Sequence, residues 1–168
     1  QHTGTFGLVS AFSFNGNKTV TCGGGGALIT NDDAIGLRAK HVSTTAKVPH
    51  PYEFFHDEIG FNYRMPNLNA ALACAQLEQL TEILRGKRVL AENYIELFKD
   101  SNITFKQEPD GTTSNYWLNA IQLEDLDARN AFLKATNESG VMTRPIWTLM
   151  SKLPMFKDCE RDELENSI

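Results

Sequence analysis

The stretch FSFNGNKTVTCGGGGALIT, residues 12–30, holds a single lysine, Lys18, which precedes an unbroken run of four glycines. Runs typical of β-strands lie on both sides, GLVSAFSF before the lysine and GALIT at the end of the glycines. Glycine takes positive φ angles and lets other groups approach the backbone closely, although ordering four in a row has a large entropic cost. The pattern predicts a rigid strand, loop and strand that present Lys18 to a pocket.

The chemistry available to Lys18 follows from this position. An amine that is partly shielded from water can attack a carbonyl group and form a Schiff base, and the hydroxyls of Ser13, Thr19 and Thr21 could contact a phosphate nearby. A nucleotide-triphosphate loop is excluded, because in GxxxxGK[ST] the lysine directly follows the last glycine. The dinucleotide motif GxGxxG is also excluded, because these glycines lead into a strand-like run. A Schiff-base lysine and an ordinary solvated lysine both remain open from spacing alone.

The rest of the chain predicts helices alternating with short strands. TNDD indicates a turn and the start of a helix over 33–41, and residues 43–64 form a long ordered loop. Apolar residues at helical spacing from Pro66 predict a long amphipathic helix, with Gly86 as a bend or a boundary between two helices. Strands are predicted in NITFKQE, NYWLNAIQL and VMTRPIW, and a helix over 125–139 that Gly140 closes.

Composition narrows the class of protein. The 168 residues are 41% hydrophobic with a formal net charge of -5, so the chain can bury a core and offers no basic surface for nucleic acid. No apolar run approaches the roughly 20 residues that cross a bilayer, so we expect no membrane association and a cytoplasmic protein. The three cysteines are far apart and predict neither a disulfide framework nor a zinc cluster. No metal site is predicted, because Pro51 interrupts the segment between His50 and His56.

Two segments resemble a known family, in the expected order. FSFNGNKTVTCGGGGALITND and GFNYRMPNLNAALACAQLEQL are similar to the hallmarks of the DegT/DnrJ/EryC1/StrS family, the pyridoxal-phosphate-dependent nucleotide-sugar aminotransferases of fold type I. SNYWLNAIQL and GVMTRPIWTLM resemble the branch that aminates UDP-4-keto-6-deoxy-N-acetylhexosamines on the way to legionaminic acid and related sugars. The resemblance covers essentially the whole chain.

The resemblance implies an α/β fold, the C-terminal part of an aspartate aminotransferase-like enzyme. Residues 1–85 would be a remnant of the large pyridoxal 5'-phosphate (PLP) domain with the reactive lysine. Residues 86–168 would form a small α+β domain, reached through a long helix that starts near residue 67. Family members are much longer and elsewhere supply the aspartate, the stacking aromatic and the glycine–threonine stretch around the cofactor. We therefore expect a fragment that is inactive alone, or a second chain that supplies the missing half.

The resemblance also assigns residues. Lys18 matches the internal-aldimine lysine that shuttles the proton between the cofactor and the substrate carbon. Ser13 matches the hydroxyl that binds the cofactor phosphate. Asn62 matches an amide presented to the cofactor phosphate of the neighbouring subunit, which implies a homodimer with shared active sites. Weaker candidates for the nucleotide sugar, suited to a diphosphate and a base, are Tyr63, Arg64, Arg144 and Trp147.

Two classes of function follow. The first is an aminotransferase that moves an amino group from a glutamate-like donor to C4 of a UDP-4-keto-6-deoxy-N-acetylhexosamine. The alternative is a non-catalytic assembly or dimerisation module derived from the same fold. The dehydratases of the family replace the Schiff-base lysine with histidine, so Lys18 argues against that activity.

Overall fold

The computed structural model describes residues 1–164 of the chain. A short 3-10 turn, Thr3–Thr5, leads into strand β1 (Val9–Ser13), which pairs antiparallel with β2 (Gly26–Thr30). Val9 lies opposite Thr30 and Ser13 lies opposite Gly26, so the segment between the strands leaves and re-enters the hairpin at one end. Both predicted strands on either side of Lys18 are confirmed.

Helix α1 (Asp33–Ser43) begins where the sequence predicts a helix start. The Asp32 side chain accepts hydrogen bonds from the backbone N–H groups of Ala34, at 2.9 Å, and Ile35, at 3.1 Å. These bonds satisfy two donors that have no partner within the helix, which is why aspartate is favoured at this position. The N-cap residue therefore fixes the point at which the chain turns from β2 into α1.

The loop after α1 is ordered by backbone contacts, as predicted. Two isolated β-bridges, Thr44 with Asn62 and Lys47 with His56, join its two halves. Ala46 is fully buried and has a φ of 50°, and a Cβ on Gly60 would lie only 2.5 Å from the Ala46 nitrogen. A residue with a side chain therefore cannot replace Gly60 without moving this crossing point.

The predicted long helix is two helices, α2 (Asn67–Glu78) and α3 (Leu80–Phe98). Its start near residue 67 is confirmed. The predicted boundary at Gly86 is wrong, because the break lies at Gln79, whose φ of -101° and ψ of 5° are not helical. Gly86 lies inside α3 with open space around the position of a Cβ, so no close contact requires a glycine there.

Contacts between Cα atoms group the chain into two compact units. The first comprises Gln1–Lys99 with Phe105–Ala120, and the second comprises Asp100–Thr104 and the described residues from Ile121 to residue 164. The predicted boundary between residues 85 and 86 lies within α3 and stays a prediction. The most buried side chains all belong to the first unit: Cys22, Ala46, Ala73, Ala91, Phe105 and Tyr116.

The later elements are short. Strand β3 (Thr104–Phe105) pairs with β4 (Ile121–Gln122), which confirms strands in NITFKQE and NYWLNAIQL over two residues each. Helix α4 (Leu126–Glu138) follows, and Gly140, with a φ of 79°, comes after its C-cap residue Ser139. Two 3-10 turns, Met150–Lys152 and Pro154–Phe156, are the last helical elements within residues 1–164.

The strand predicted in VMTRPIW is wrong. Two of its polar groups bond to the end of α4: the Val141 N–H donates to the Thr136 carbonyl at 2.8 Å, and the hydroxyls of Thr136 and Thr143 lie 2.6 Å apart. Local contacts thus take the hydrogen bonds that a strand would use. No helix within residues 1–164 is long and apolar enough to cross a membrane.

Gly26→Ala tests the close approach within the hairpin. A Cβ at this position would lie 2.5 Å from the Phe12 carbonyl oxygen, so we expect a loss of roughly 1–3 kcal/mol in the free energy of unfolding. Gly24→Ala is the matched control, since nothing lies within 4 Å of its Cβ position. Urea unfolding of both variants measures the difference, and equal stabilities would contradict the account.

Candidate active site

The loop between β1 and β2 carries Lys18 on a closed backbone ring. The Phe14 N–H donates to the Gly25 carbonyl at 2.9 Å, and the Cys22 N–H donates to the Phe14 carbonyl at 3.0 Å. Within the ring, the Lys18 N–H donates to the Asn15 carbonyl at 3.0 Å, and Lys18 itself is half-buried. The ring holds the lysine in a tight turn away from the strands.

The glycine run permits this closure. Gly23 and Gly25 have φ angles of 82° and 133°, a region that residues with side chains rarely adopt. Between Gly23 and the turn lies Cys22, whose side chain is buried, and its carbonyl accepts a 2.6 Å hydrogen bond from the Asn69 side-chain amide of α2. The loop is thereby attached to the helix behind it, as a rigid site requires.

The Lys18 amine lies against an aromatic ring from far along the chain. Its Nζ is 3.6 Å from the centroid of the Trp117 ring, a cation–π contact. The same indole donates from Nε1 to the Asn17 carbonyl at 2.5 Å. Sequence analysis missed Trp117, because 100 residues separate it from Asn17 and no local pattern marks a contact of that range.

An ion pair holds the segment that carries Trp117. Arg88 of α3 forms a bidentate pair with Glu108, at 2.9 and 3.1 Å, and also donates to the Ser114 carbonyl at 3.0 Å. The Ser114 N–H returns a 2.5 Å bond to Glu108. Hydrogen bonding from Arg88, with the Ser114 N–H adding, holds the pKa of the Glu108 carboxyl below its ordinary value. Tyr116 is buried next to this pair, so the segment is fixed immediately before Trp117.

Hydroxyl groups lie on both sides of Lys18. Ser13 ends β1 and is exposed; its Oγ accepts a 3.3 Å bond from the Asn15 N–H, which leaves its own proton for another acceptor. Thr19 Oγ1 is buried, and within the described residues it has no hydrogen-bond partner. A buried polar atom without a partner is costly, so a ligand group that contacts the Thr19 hydroxyl would offset that cost. Thr21, by contrast, donates to the Phe14 carbonyl at 3.3 Å.

A second group of predicted residues lines a groove of about 760 Å³. Asn62 and Arg64 both contribute to it, together with Lys47 and His50. Lys18 and Ser13 do not line this groove. Tyr63 is 75% exposed and stacks on Phe61 with ring centroids 5.3 Å apart. The structure thus brings together Asn62 and Arg64 in a basic groove suited to an anionic group.

Arg144 and Trp147 belong to the second unit. The Arg144 guanidinium lies 3.7 Å from the sulfur of Met142, and Trp147 is 71% exposed. Their proposed contact with a nucleotide sugar stays a prediction.

One cluster has the composition of a metal site. His41 Nε2 lies 2.7 Å from an Asp57 oxygen and 3.5 Å from a Glu58 oxygen, and all three could offer ligand atoms within 4.8 Å of one another. Arg38, however, donates both terminal nitrogens to the Glu58 carboxylate and lowers its pKa. We therefore interpret the cluster as an ion-pair network that ties α1 to the following loop.

Comparison with known proteins identifies the class. The model of the DegT/DnrJ/EryC1/StrS aminotransferase family matches residues 1–167, and the chain belongs to this family. The family and the fold class that the sequence predicts are both confirmed. Aminotransferases of this family use PLP as cofactor.

Two relatives illustrate the match. GDP-perosamine synthase of Vibrio cholerae is 36% identical over 162 residues, which cover 94% of this chain and 43% of that protein. The putative pyridoxal phosphate-dependent aminotransferase EpsN of Bacillus subtilis is 33% identical over 157 residues, which cover 93% of this chain and 40% of that protein. The chain therefore spans less than half the length of these relatives.

A solved structure supports the fold. Helicobacter pylori PseC, an aminotransferase involved in the biosynthesis of pseudaminic acid, superposes with a TM-score of 0.87 at 22% identity. The superposition covers 95% of this chain and 44% of that one. At this identity the likeness shows the fold.

The residues around Lys18 fit the cofactor of the family. PLP carries an aldehyde, which a lysine amine can attack, and a phosphate, which needs hydrogen-bond donors. Lys18 offers the amine, Ser13 offers an exposed hydroxyl, and the buried Thr19 hydroxyl lacks a partner within the described residues. The donor set in the loop therefore matches both functional groups.

Proposed function

We propose that this chain is part of a PLP-dependent aminotransferase that acts on a nucleotide sugar. The observation that carries the proposal is the half-buried Lys18 in a glycine-closed loop between two paired strands. Because the chain spans 43% of the Vibrio cholerae relative, we assign the activity to the whole protein that contains it.

Lys18 would hold the cofactor and move the proton. Its Nζ would hold the cofactor through the aldehyde group and would serve as the base that carries a proton to or from the substrate carbon. Bound PLP supplies an electron sink that stabilises negative charge at that carbon. The closed backbone ring fixes the Lys18 main chain, from which the side chain extends, and proton transfer requires a base attached at a defined place.

Two hydroxyls would bind the cofactor phosphate. Ser13 can donate its proton, and Thr19 would gain the partner that its buried oxygen lacks among the described residues. Hydrogen bonds to a charged acceptor are about twice as strong as neutral ones. Satisfying Thr19 therefore favours the loaded form of the site.

For the substrate we propose a UDP-4-keto-6-deoxy-N-acetylhexosamine, which receives the amino group at C4 from a glutamate-like donor. The resemblance of SNYWLNAIQL and GVMTRPIWTLM supports this branch. The relative named GDP-perosamine synthase supports a nucleotide sugar and makes a GDP sugar the competing substrate. Tyr63, Arg64, Arg144 and Trp147 are the residues proposed to contact it.

We also propose that the protein is a homodimer with shared sites, and that it is cytoplasmic. Asn62 lines a groove that does not include Lys18, which agrees with a role toward a neighbouring subunit. Lys47 and Arg64 add positive charge to that groove, as a phosphate requires.

Lys18→Ala in the full-length protein tests the proposal. We expect the rate of amino transfer to fall by roughly a hundredfold or more, because both the nucleophile and the base are lost. The fold should persist, since no core volume is removed. Lys40→Ala, at an exposed position on α1, is the matched control and should keep full activity. A Lys18→Ala variant as active as the control would contradict the proposal.

Subunit mixing tests the place of Asn62. Lys18→Ala and Asn62→Ala subunits, each poorly active alone, should regain activity when mixed, because one of the two composite sites then has both residues. Native mass spectrometry verifies subunit exchange. If exchange is complete and activity does not return, Asn62 does not serve the neighbouring site.

A further inference from the structure

Two contacts connect one indole to two consecutive residues of the lysine loop. The Trp117 ring lies under the Lys18 ammonium, with 3.6 Å from Nζ to the ring centroid. Its Nε1–H donates to the Asn17 carbonyl at 2.5 Å. One contact restrains the reactive side chain and the other restrains the backbone that carries it. Tryptophan is the strongest of the aromatic partners for a cation.

The indole is itself held in place. The backbone N–H of Trp117 donates to the Asn115 side chain at 3.0 Å. The preceding residue, Tyr116, is buried with a φ of 42°. A bulky residue takes such a φ only where the surrounding structure imposes it. The Arg88 guanidinium lies 5.3 Å from the Tyr116 ring and is paired with Glu108. Trp117 is therefore presented to the loop by a fixed segment.

We propose that Trp117 is a positioning residue for Lys18. While the amine carries no cofactor, the indole holds it within the site and fixes the turn at Asn17. To react with a carbonyl, the amine must leave the face of the Trp117 indole. The contact therefore also limits premature reaction with other aldehydes. This inference rests on the proposed role of Lys18. It adds a residue that the sequence pattern around the lysine does not contain.

A ring-current experiment on the full-length protein, freed of PLP, tests the contact. Reductive methylation with 13C-formaldehyde labels lysine amines and keeps their charge, and Lys18→Arg identifies the Lys18 signal. We expect that signal upfield of those from solvent-exposed lysines. Trp117→Leu should return it to their position. Trp117→Phe keeps a ring without the N–H donor and should retain part of the shift.

A second cation–π pair in the same unit provides the matched control. Lys47 Nζ lies 4.0 Å from the centroid of the Phe54 ring. Phe54→Leu should move the Lys47 signal and leave the Lys18 signal unchanged. Trp117→Leu should do the reverse, which separates a local contact from a general change of fold. If Trp117→Leu moves both signals, the contact is tested instead by the upfield shift of the Lys18 signal in the wild type and by the part of that shift that Trp117→Phe retains.

Competitive acetylation of unmethylated protein measures the consequence for reactivity. Loss of the indole in Trp117→Leu should raise the rate of acetylation at Lys18 by roughly two- to thirtyfold, which corresponds to the range of free energies that cation–π contacts cover. Lys40 serves as the internal reference. An unshifted Lys18 signal in the wild type, or an unchanged acetylation rate in Trp117→Leu, would overturn the inference.

The two proposals fail separately. An unshifted Lys18 signal together with loss of turnover in Lys18→Ala would reject the role of Trp117 and leave the aminotransferase proposal standing. A shifted signal together with full turnover in Lys18→Ala would reject the aminotransferase role of Lys18. In that case the contact with Trp117 is structural, and the present inference falls with the function on which it rests.

Discussion

The close approach of Gly26 to the Phe12 carbonyl is the constraint on which the site depends. A Cβ at Gly26 would lie 2.5 Å from that oxygen, so the two strands meet at this spacing only without a side chain. The approach brings Phe14 and Gly25 within hydrogen-bonding distance and closes the loop base. The Lys18 backbone gains a fixed position because backbone hydrogen bonds close the loop beneath it. Ordering the glycines has an entropic cost, and the closed loop that carries the Lys18 amine forms only when that cost is met.

A second set of contacts to the loop comes from a segment that is distant in sequence and ends in Trp117. The Arg88–Glu108 pair on α3 orders the segment that ends in Trp117, and the indole contacts both Asn17 and Lys18. Charge-assisted bonds and a buried tyrosine hold this segment, so the indole is placed independently of the loop. Two elements distant in sequence thereby converge on one amine. Holding a reactive group in place before its partner binds lowers the entropic cost of the reaction, which is the role that we propose for these contacts at Lys18.

The sequence predicted the features that local chemistry determines. The glycine loop with its two strands and the helix start at Asp32 depend on residues adjacent in the chain, and both are confirmed. No glycine or proline marks the break between α2 and α3 at Gln79. Gly86, which predicted a boundary, lies within α3. VMTRPIW has strand-like composition, yet its hydrogen bonds go to the end of α4. Trp117 lies 100 residues from Asn17, so only tertiary structure reveals its contact with the site.

Covalent trapping of PLP measures the central claim most directly. The full-length protein, loaded with PLP and reduced with borohydride, should carry one label per chain. Digestion and mass spectrometry should place this label on Lys18. The account predicts that the visible absorbance of the bound cofactor disappears on reduction, together with formation of that single labelled peptide. A label on another lysine, such as Lys47 in the basic groove, or no stable label at all, would contradict it.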